Sequence, residues 1–213
     1  MNKKYQVFIS STYKDLKEER MAVTQCLLEM GCIPVGMEQF PASNMSQMEY
    51  IKMMLDDCDY YILILAGKYG SIDSDGIGFT EKEYDYAIEK GIPVMSFVIQ
   101  DMDKLISEKC ENTTKMRKKL KLFRDKVCNG KLVKFYSDLG SLKAAVAISL
   151  NHCVSDYPAV GWIRGNNTGD SEEVREQIST FLKTIDNVFP KIYTGPEEPQ
   201  NAKDGDIWLK TEK

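Results

Sequence analysis

The stretch Tyr60-Tyr61-Ile62-Leu63-Ile64-Leu65-Ala66 decides the fold. It is apolar on both faces, which suits the centre of a parallel sheet covered on two sides rather than a half-solvated strand. Upstream, Tyr5-Gln6-Val7-Phe8-Ile9-Ser10 reads as a short strand that turns at Ser11-Thr12. Leu16, Arg20, Val23, Leu27 and Met30 follow at helical spacing, and Gly31 closes that helix. Cys32 to Met37 is a second strand ending at Glu38-Gln39; Ser46 then caps a helix carrying Met48, Ile51, Met54 and Leu55. Downstream, a Gly/Asp-rich loop from Gly67 to Gly78 leads into a helix from Thr80 to Lys90, and Ile92 to Ile99 is a fourth strand. A further unit has a helix marked by Leu120, Phe123 and Val127, a strand over Leu132–Tyr136 and a last helix from Ser141 to about Cys153. Strand and helix alternating at these intervals imply right-handed βαβ crossovers. The fold class is therefore α/β, an open parallel sheet of about five strands with helices on both faces.

Past Gly161 the character changes. Gly165-Asn166-Asn167-Thr168-Gly169 has linker composition, so residues 1–165 are expected to form the α/β domain and residues 166–213 an extension. Asp170 and Glu173 suggest a capping box for a helix over about 170–189. Along it Val174, Ile178, Phe181, Ile185 and Val188 form a heptad seam of two heptads, too short for an independent coiled coil. The seam either packs back on the domain or joins a second copy of the chain, so residues 174–188 are the candidate homo-oligomer contact. The Pro- and Gly-containing stretch after it ends in a strand-like tip, Ile207-Trp208-Leu209.

Composition removes several function classes. The 213 residues hold 28 Lys+Arg and 32 Asp+Glu, a net charge of −4. All of that excess sits in residues 166–213, which carry 6 basic and 10 acidic residues; residues 1–165 carry 22 of each. A neutral domain without nucleic-acid motifs argues against a nucleic-acid partner. The basic run Lys115 to Lys121 shares its helix with the apolar face Met116, Leu120, Phe123 and Val127, so its charges are expected to face water. No apolar run spans a membrane and no signal-peptide pattern precedes the first strand, so the expected setting is cytoplasmic. The six cysteines are scattered without Cys-x-x-Cys pairs, which disfavours a zinc site, and no metal or obligatory cofactor is expected. His152 is the single histidine, so Ser-His-Asp or Cys-His catalysis has little support. Neither a Gly-x-Gly-x-x-Gly turn nor a P-loop is present, which argues against a dinucleotide dehydrogenase or an NTPase.

Ligands of open parallel sheets bind outside the carboxyl ends of the strands. Those ends carry Ser10, Ser11 and Thr12 after strand one, Glu38 after strand two, and Tyr69 and Gly70 after strand three. The following loop delivers Phe79, Thr80 and the helix bearing Glu81, Glu83 and Asp85. Glu83 lies on a different helical side from Glu81 and Asp85, so one carboxylate need face the crevice. Two readings stay open for each motif. Thr80 with Glu83 at about N3 fits a capping box, and Ser10-Ser11-Thr12 fits an N-terminal capping cluster. Alternatively, the hydroxyls hold ribose or phosphate oxygens and Glu83 faces a ligand.

The runs Val7-Phe8-Ile9-Ser10-Ser11-Thr12 and Asp15-Leu16-Lys17-Glu18-Glu19-Arg20 resemble a bacterial family, domain of unknown function 4062. Asp59 to Ser71, Thr80-Glu81-Lys82-Glu83-Tyr84 and Gly161-Trp162-Ile163-Arg164 fit it too. The resemblance covers about residues 4–165 and implies kinship with TIR domains, whose sheet is flavodoxin-like, and a role in bacterial signalling or antiphage defence. In enzymatic TIR domains a glutamate in a Trp-Cys-x-x-Glu pattern cleaves the nicotinamide–ribose bond of NAD. Phe79-Thr80-Glu81-Lys82-Glu83 occupies the matching place, with Phe for Trp and Thr for Cys, which implies Glu83 as the catalytic carboxylate. Asp75-Gly76, Glu83-Tyr84 and Ala87 also look like the nucleoside deoxyribosyltransferase pattern, where the glutamate is the nucleophile. Both resemblances imply cleavage of an N-ribosidic bond, with NAD as a substrate candidate, Tyr69 and Phe79 stacking on the base and Ser10 or Ser11 holding oxygens. The other expectation is a non-catalytic TIR-like module that assembles with itself or senses a nucleotide.

Overall fold

In the computed structural model, Tyr60–Leu65 is the central strand of a five-stranded sheet whose order is β2-β1-β3-β4-β5, every neighbouring pair parallel. The structure describes residues 3–39, 44–129 and 132–164, and, further along, residues 179, 192–195, 197, 200 and 207–211. In chain order the elements are β1 (Gln6–Ser10), α1 (Lys17–Glu29), β2 (Ile33–Val35), α2 (Gln47–Asp56), β3 (Tyr60–Leu65) and α3 (Phe79–Glu89). They continue with β4 (Val94–Ile99), α4 (Thr114–Cys128), β5 (Val133–Tyr136) and α5 (Leu139–Asp156). The order reverses between β1 and β3, as in flavodoxin-like doubly wound folds, and that reversal opens a crevice at the carboxyl ends of the strands.

Side-chain alternation in β1 and β3 divides the core. Val7, Ile9, Tyr60, Ile62 and Ile64 pack under α1 and α5 through Val23, Leu27, Leu142, Val146 and Leu150. Phe8, Tyr61, Leu63 and Leu65 point to the other face and pack under α2, α3 and α4 through Ile51, Leu55, Ala87, Leu120, Phe123 and Val127. All residues of β1 and β3 are buried, which explains why neither strand shows a polar alternation. Local signals set the ends. Ser46 accepts from the Glu49 backbone N–H and Glu49 answers with its carboxylate, a capping box that starts α2. Asp138 and Ser141 do the same for α5, which begins at Leu139, two residues earlier than the apolar pattern suggests. Strand β2 is shorter than the expected Cys32–Met37, because Met37–Gln39 winds into a 3-10 turn.

The Gly161-Trp162 motif straps the domain. Lys4 and Trp162 exchange backbone hydrogen bonds of 2.8 and 2.7 Å, and the Gly161 N–H donates to Asp59 at 3.1 Å. The chain divides into two compact units, residues 2–162 and residues 163–213 (with Met1). In the second, β6 (Ile192–Gly195) and β7 (Ile207–Lys210) form a parallel pair. Of the expected helix over 170–189 only Ser179 is described, as helical, and the seam residues Val174, Ile178, Phe181, Ile185 and Val188 lie outside the described residues. Among the described residues, no helix is long and apolar enough to cross a membrane.

Candidate functional site

Helix α1 begins at Lys17 after Leu16, with no side chain capping it. Ser10, Ser11 and Thr12 are therefore not a capping cluster; they are the buried end of β1 and the turn beyond it. The Ser10 hydroxyl donates to Glu83 Oε2 across the sheet–helix boundary. Ser11 Oγ donates to the Thr12 carbonyl at 2.8 Å and accepts from Arg20 Nη1 at 3.0 Å.

Helix α3 opens at Phe79 with Gly78 as its N-cap. That places Thr80 at the second helical position and Glu83 at the fifth, so the capping-box reading of this pair fails. Glu81 and Asp85 turn outward to Lys126, at 3.0 and 2.6 Å. Glu83, 9% exposed, turns inward beneath the crevice. Burial raises its carboxyl from 4.5 to about 7, against the opposing pull of the Ser10 hydroxyl and the Arg20 charge. A carboxylate this near neutrality is suited to proton transfer or to meeting a developing cation.

The crevice above it has a volume of about 400 Å3 and is lined by Ser11, Thr12, Gly70, Phe79, Thr80 and Glu83 together with Tyr13, Lys14, Asp15, Met37, Lys68 and Glu111. Gly70 is required by its surroundings: its φ is +88°, and a Cβ there would lie 2.8 Å from Thr12 Cγ2. Glu111 holds this turn, accepting from the Tyr69 and Gly70 backbone N–H groups at 2.7 and 3.3 Å. Burial pushes the Asp15 carboxyl up, opposed by the Thr12 hydroxyl and the Lys68 charge.

Three of the expected residues do not line the crevice: Ser10, 1% exposed, is spent beneath it on Glu83, and Tyr69 and Glu38 stand elsewhere. Tyr69 is 3% exposed and does not line the crevice. Its ring packs edge-on against Phe123, while its hydroxyl donates to Glu81 at 2.5 Å and accepts from the Gly78 N–H at 3.0 Å. Tyr69 thus ties the loop to the start of α3 and is not free to stack on a base; Phe79 alone of that pair faces the crevice. Glu38 lines a separate cavity of about 270 Å3. It is gripped by Arg20, whose Nε and Nη2 reach its two oxygens at 2.5 and 2.6 Å. Burial alone would raise the Glu38 carboxyl, but the Arg20 hydrogen bonds and charge bring it below the usual glutamate range. Arg20 is 2% exposed, and its remaining donor, Nη1, also reaches the Ile9 carbonyl at 3.0 Å. An arginine on the apolar stripe Leu16-Arg20-Val23-Leu27 was the sequence signal for this network. Nothing local pointed to Glu111, 28 residues after Glu83.

Among the described residues no three His, Cys, Asp or Glu side chains gather as a metal site, and all six cysteines are free thiols. No curated protein matches the chain. Among solved structures, the TIR domains of the activated Roq1 resistosome, described as directly recognizing the pathogen effector XopQ, match at 15% identity and a TM-score of 0.39, covering 85% of this chain and 99% of that one. A mutant flavo di-iron protein from Thermotoga maritima matches at 15% identity and a TM-score of 0.38, over 71% of this chain and 36% of its own. Residues 6–151 match the family described as Domain of unknown function (DUF4062), and the chain belongs to that family.

Proposed function

We propose that this domain cleaves the N-glycosidic bond of NAD or a related nucleotide, with Glu83 as the catalytic carboxylate. The observation that carries the reading is Glu83 itself: a carboxylate buried at the reversal of strand order, held by Ser10 at the floor of a crevice large enough for a nucleotide half. In the reaction the C1′–N bond breaks and its electron pair passes to the ring nitrogen of the departing nicotinamide, cancelling that ring's positive charge. Positive charge develops on C1′ and the ribose ring oxygen, and the Glu83 carboxylate faces it, as carboxylates do in glycoside hydrolysis. Water then adds to C1′ and its proton passes to Glu83 and on to solvent, giving nicotinamide and ADP-ribose. Attack by the carboxylate on C1′, as the deoxyribosyltransferase-like pattern implies, uses the same residue and releases the same base. Phe79 and Thr80 stand beside the reacting half, Ser11 and Thr12 supply hydroxyls, and Lys14 and Lys68 supply charge for phosphate oxygens.

A second reading, nucleotide sensing without turnover, draws support from the same geometry, because the Glu83 carboxylate is already engaged by Ser10 and little exposed. Incubation with NAD and a nucleoside panel, wild type beside Glu83→Gln and across protein concentrations, separates the two. Base release by the wild type, reduced about 100-fold or more in Glu83→Gln, supports cleavage. Equal turnover by both proteins removes Glu83 from the mechanism, and nucleotide binding with no base release favours sensing. The proposed setting is bacterial signalling or antiphage defence.

A further inference from the structure

A second hollow lies beside the Glu83 crevice, between α1 and the edge strand β2. Its volume is about 270 Å3; Ile9, Met21, Pro34 and Val35 give apolar walls, while Lys17 and Glu38 supply charge. Tyr13 lines both hollows, and Lys17 Nζ sits 5.3 Å from the centre of its ring. The two cavities are therefore neighbours across one aromatic side chain, with Lys14 in the first and Lys17 in the second.

Glu38 follows β2, the strand beside β1 on the side away from β3. In doubly wound nucleotide-binding folds, a carboxylate beyond the first βα unit accepts from a ribose hydroxyl. Glu38 is pre-set for that task. Arg20 holds both oxygens in a fork, yet the Glu38 side chain remains 40% exposed, and each oxygen keeps a second acceptor site. Gly36 lets the pair press against the backbone: a Cβ there would lie 2.6 Å from both Arg20 Nη2 and Glu38 Oε2, so the residue type keeps the fork in place. Burying an arginine to fix one half-exposed carboxylate is a poor source of stability, since the desolvation cost offsets much of the attraction. The arrangement makes better sense as the orientation of an acceptor.

We propose that this second cavity is the base-and-ribose subsite for the distal half of a dinucleotide. The two nucleoside halves lie on either side of Tyr13. Lys14 and Lys17 flank the linking phosphates, the base enters the slot walled by Ile9, Met21 and Val35, and Glu38 accepts from the distal ribose diol. The inference rests on the cleavage reading of Glu83 and narrows its substrate class to dinucleotides, ahead of free nucleosides and mononucleotides.

Calorimetric titration of the full chain with ADP-ribose and with ribose 5-phosphate tests it. Both probes carry the ribose phosphate of the Glu83 side, but only ADP-ribose reaches the second cavity. ADP-ribose is expected to bind at least tenfold tighter to the wild type. Met21→Trp fills the slot, and because Met21 is 72% exposed the core is untouched. This variant should weaken ADP-ribose at least tenfold and leave ribose 5-phosphate unchanged, and Glu38→Gln should also weaken ADP-ribose at least tenfold. Equal affinities, no ADP-ribose binding, or an ADP-ribose affinity indifferent to Met21→Trp overturns the subsite. Parallel assays of nicotinamide release from NAD and from nicotinamide mononucleotide distinguish the two failures. Release from both at similar rates, with equal probe affinities, sinks the subsite alone. Tight, Met21-sensitive ADP-ribose binding without release from either substrate sinks the cleavage reading and keeps the subsite.

Discussion

Glu83→Gln should change how the stability of this protein depends on pH. The unfolded chain releases the Glu83 proton near the ordinary 4.5, whereas burial holds it in the folded chain until about pH 7. Between those values the folded state binds one more proton than the unfolded state, so stability falls as pH rises. The full contribution is present below pH 4.5 and gone above pH 7. The gap is worth about 3 kcal/mol, most of which is lost between pH 5 and pH 8. Glutamine has nearly the same shape, keeps an oxygen for the Ser10 hydroxyl and does not titrate. Urea denaturation of both proteins at pH 5 and pH 8 should therefore show the mutant gaining about 2–3 kcal/mol on the wild type at the higher pH. Titrations elsewhere in the molecule are common to both proteins and cancel in the difference. Parallel pH profiles, agreeing within about 0.5 kcal/mol, would show that Glu83 is solvated like a surface carboxylate and would refute the buried-acid reasoning.

Three further perturbations probe the supports of the site. Ser10→Ala removes the hydroxyl that favours the ionised form of Glu83; it should push that carboxyl higher still and cost about 1.5–3 kcal/mol at pH 8 but less at pH 5, as urea midpoints at the two pH values will show. Gly70→Ala places a Cβ against Thr12 at a positive φ, so a loss of about 1–3 kcal/mol is expected by the same assay; an unchanged midpoint would mean the turn yields easily. Phe123→Ala empties a 1% exposed core position against Tyr69 and Tyr84. Thermal or urea unfolding should register about 3–5 kcal/mol, and a loss under about 1 kcal/mol would contradict the packing described.

The fold was legible because its signals are local. Seven apolar residues at 60–66, glycines at 31 and 91, and Ser46 as a helix cap each act over a few positions, and the structure uses each as the pattern suggests. Edges were less legible for the same reason. Strand β2 borders the sheet, so the turn at Met37–Gln39 could shorten it without exposing core. The start of α5 depended on Asp138 accepting from Ser141, a polar signal outside the apolar periodicity.

The site divides along the same line. Helical spacing separated Glu83 from Glu81 and Asp85 while the family resemblance singled it out, and Lys126 does take both of the other carboxylates, leaving Glu83 to the sheet. Its capping alternative could not be settled by spacing, since moving the N-cap from Thr80 to Gly78 decides whether position 83 is the third helical residue or the fifth. Tyr69 and Glu38 were misplaced because their surroundings come from distant segments. Phe123 takes the ring of the first, and Arg20 takes the carboxylate of the second. Arg20 matters beyond its own pair. Its buried charge touches Ser11, lowers Glu38 and draws against the raised Glu83, so one residue of α1 couples the electrostatics of both cavities. A ligand that pairs with Glu38 therefore also alters how much of the Arg20 charge Glu83 feels, and occupancy of the second cavity should shift the pH at which Glu83 ionises.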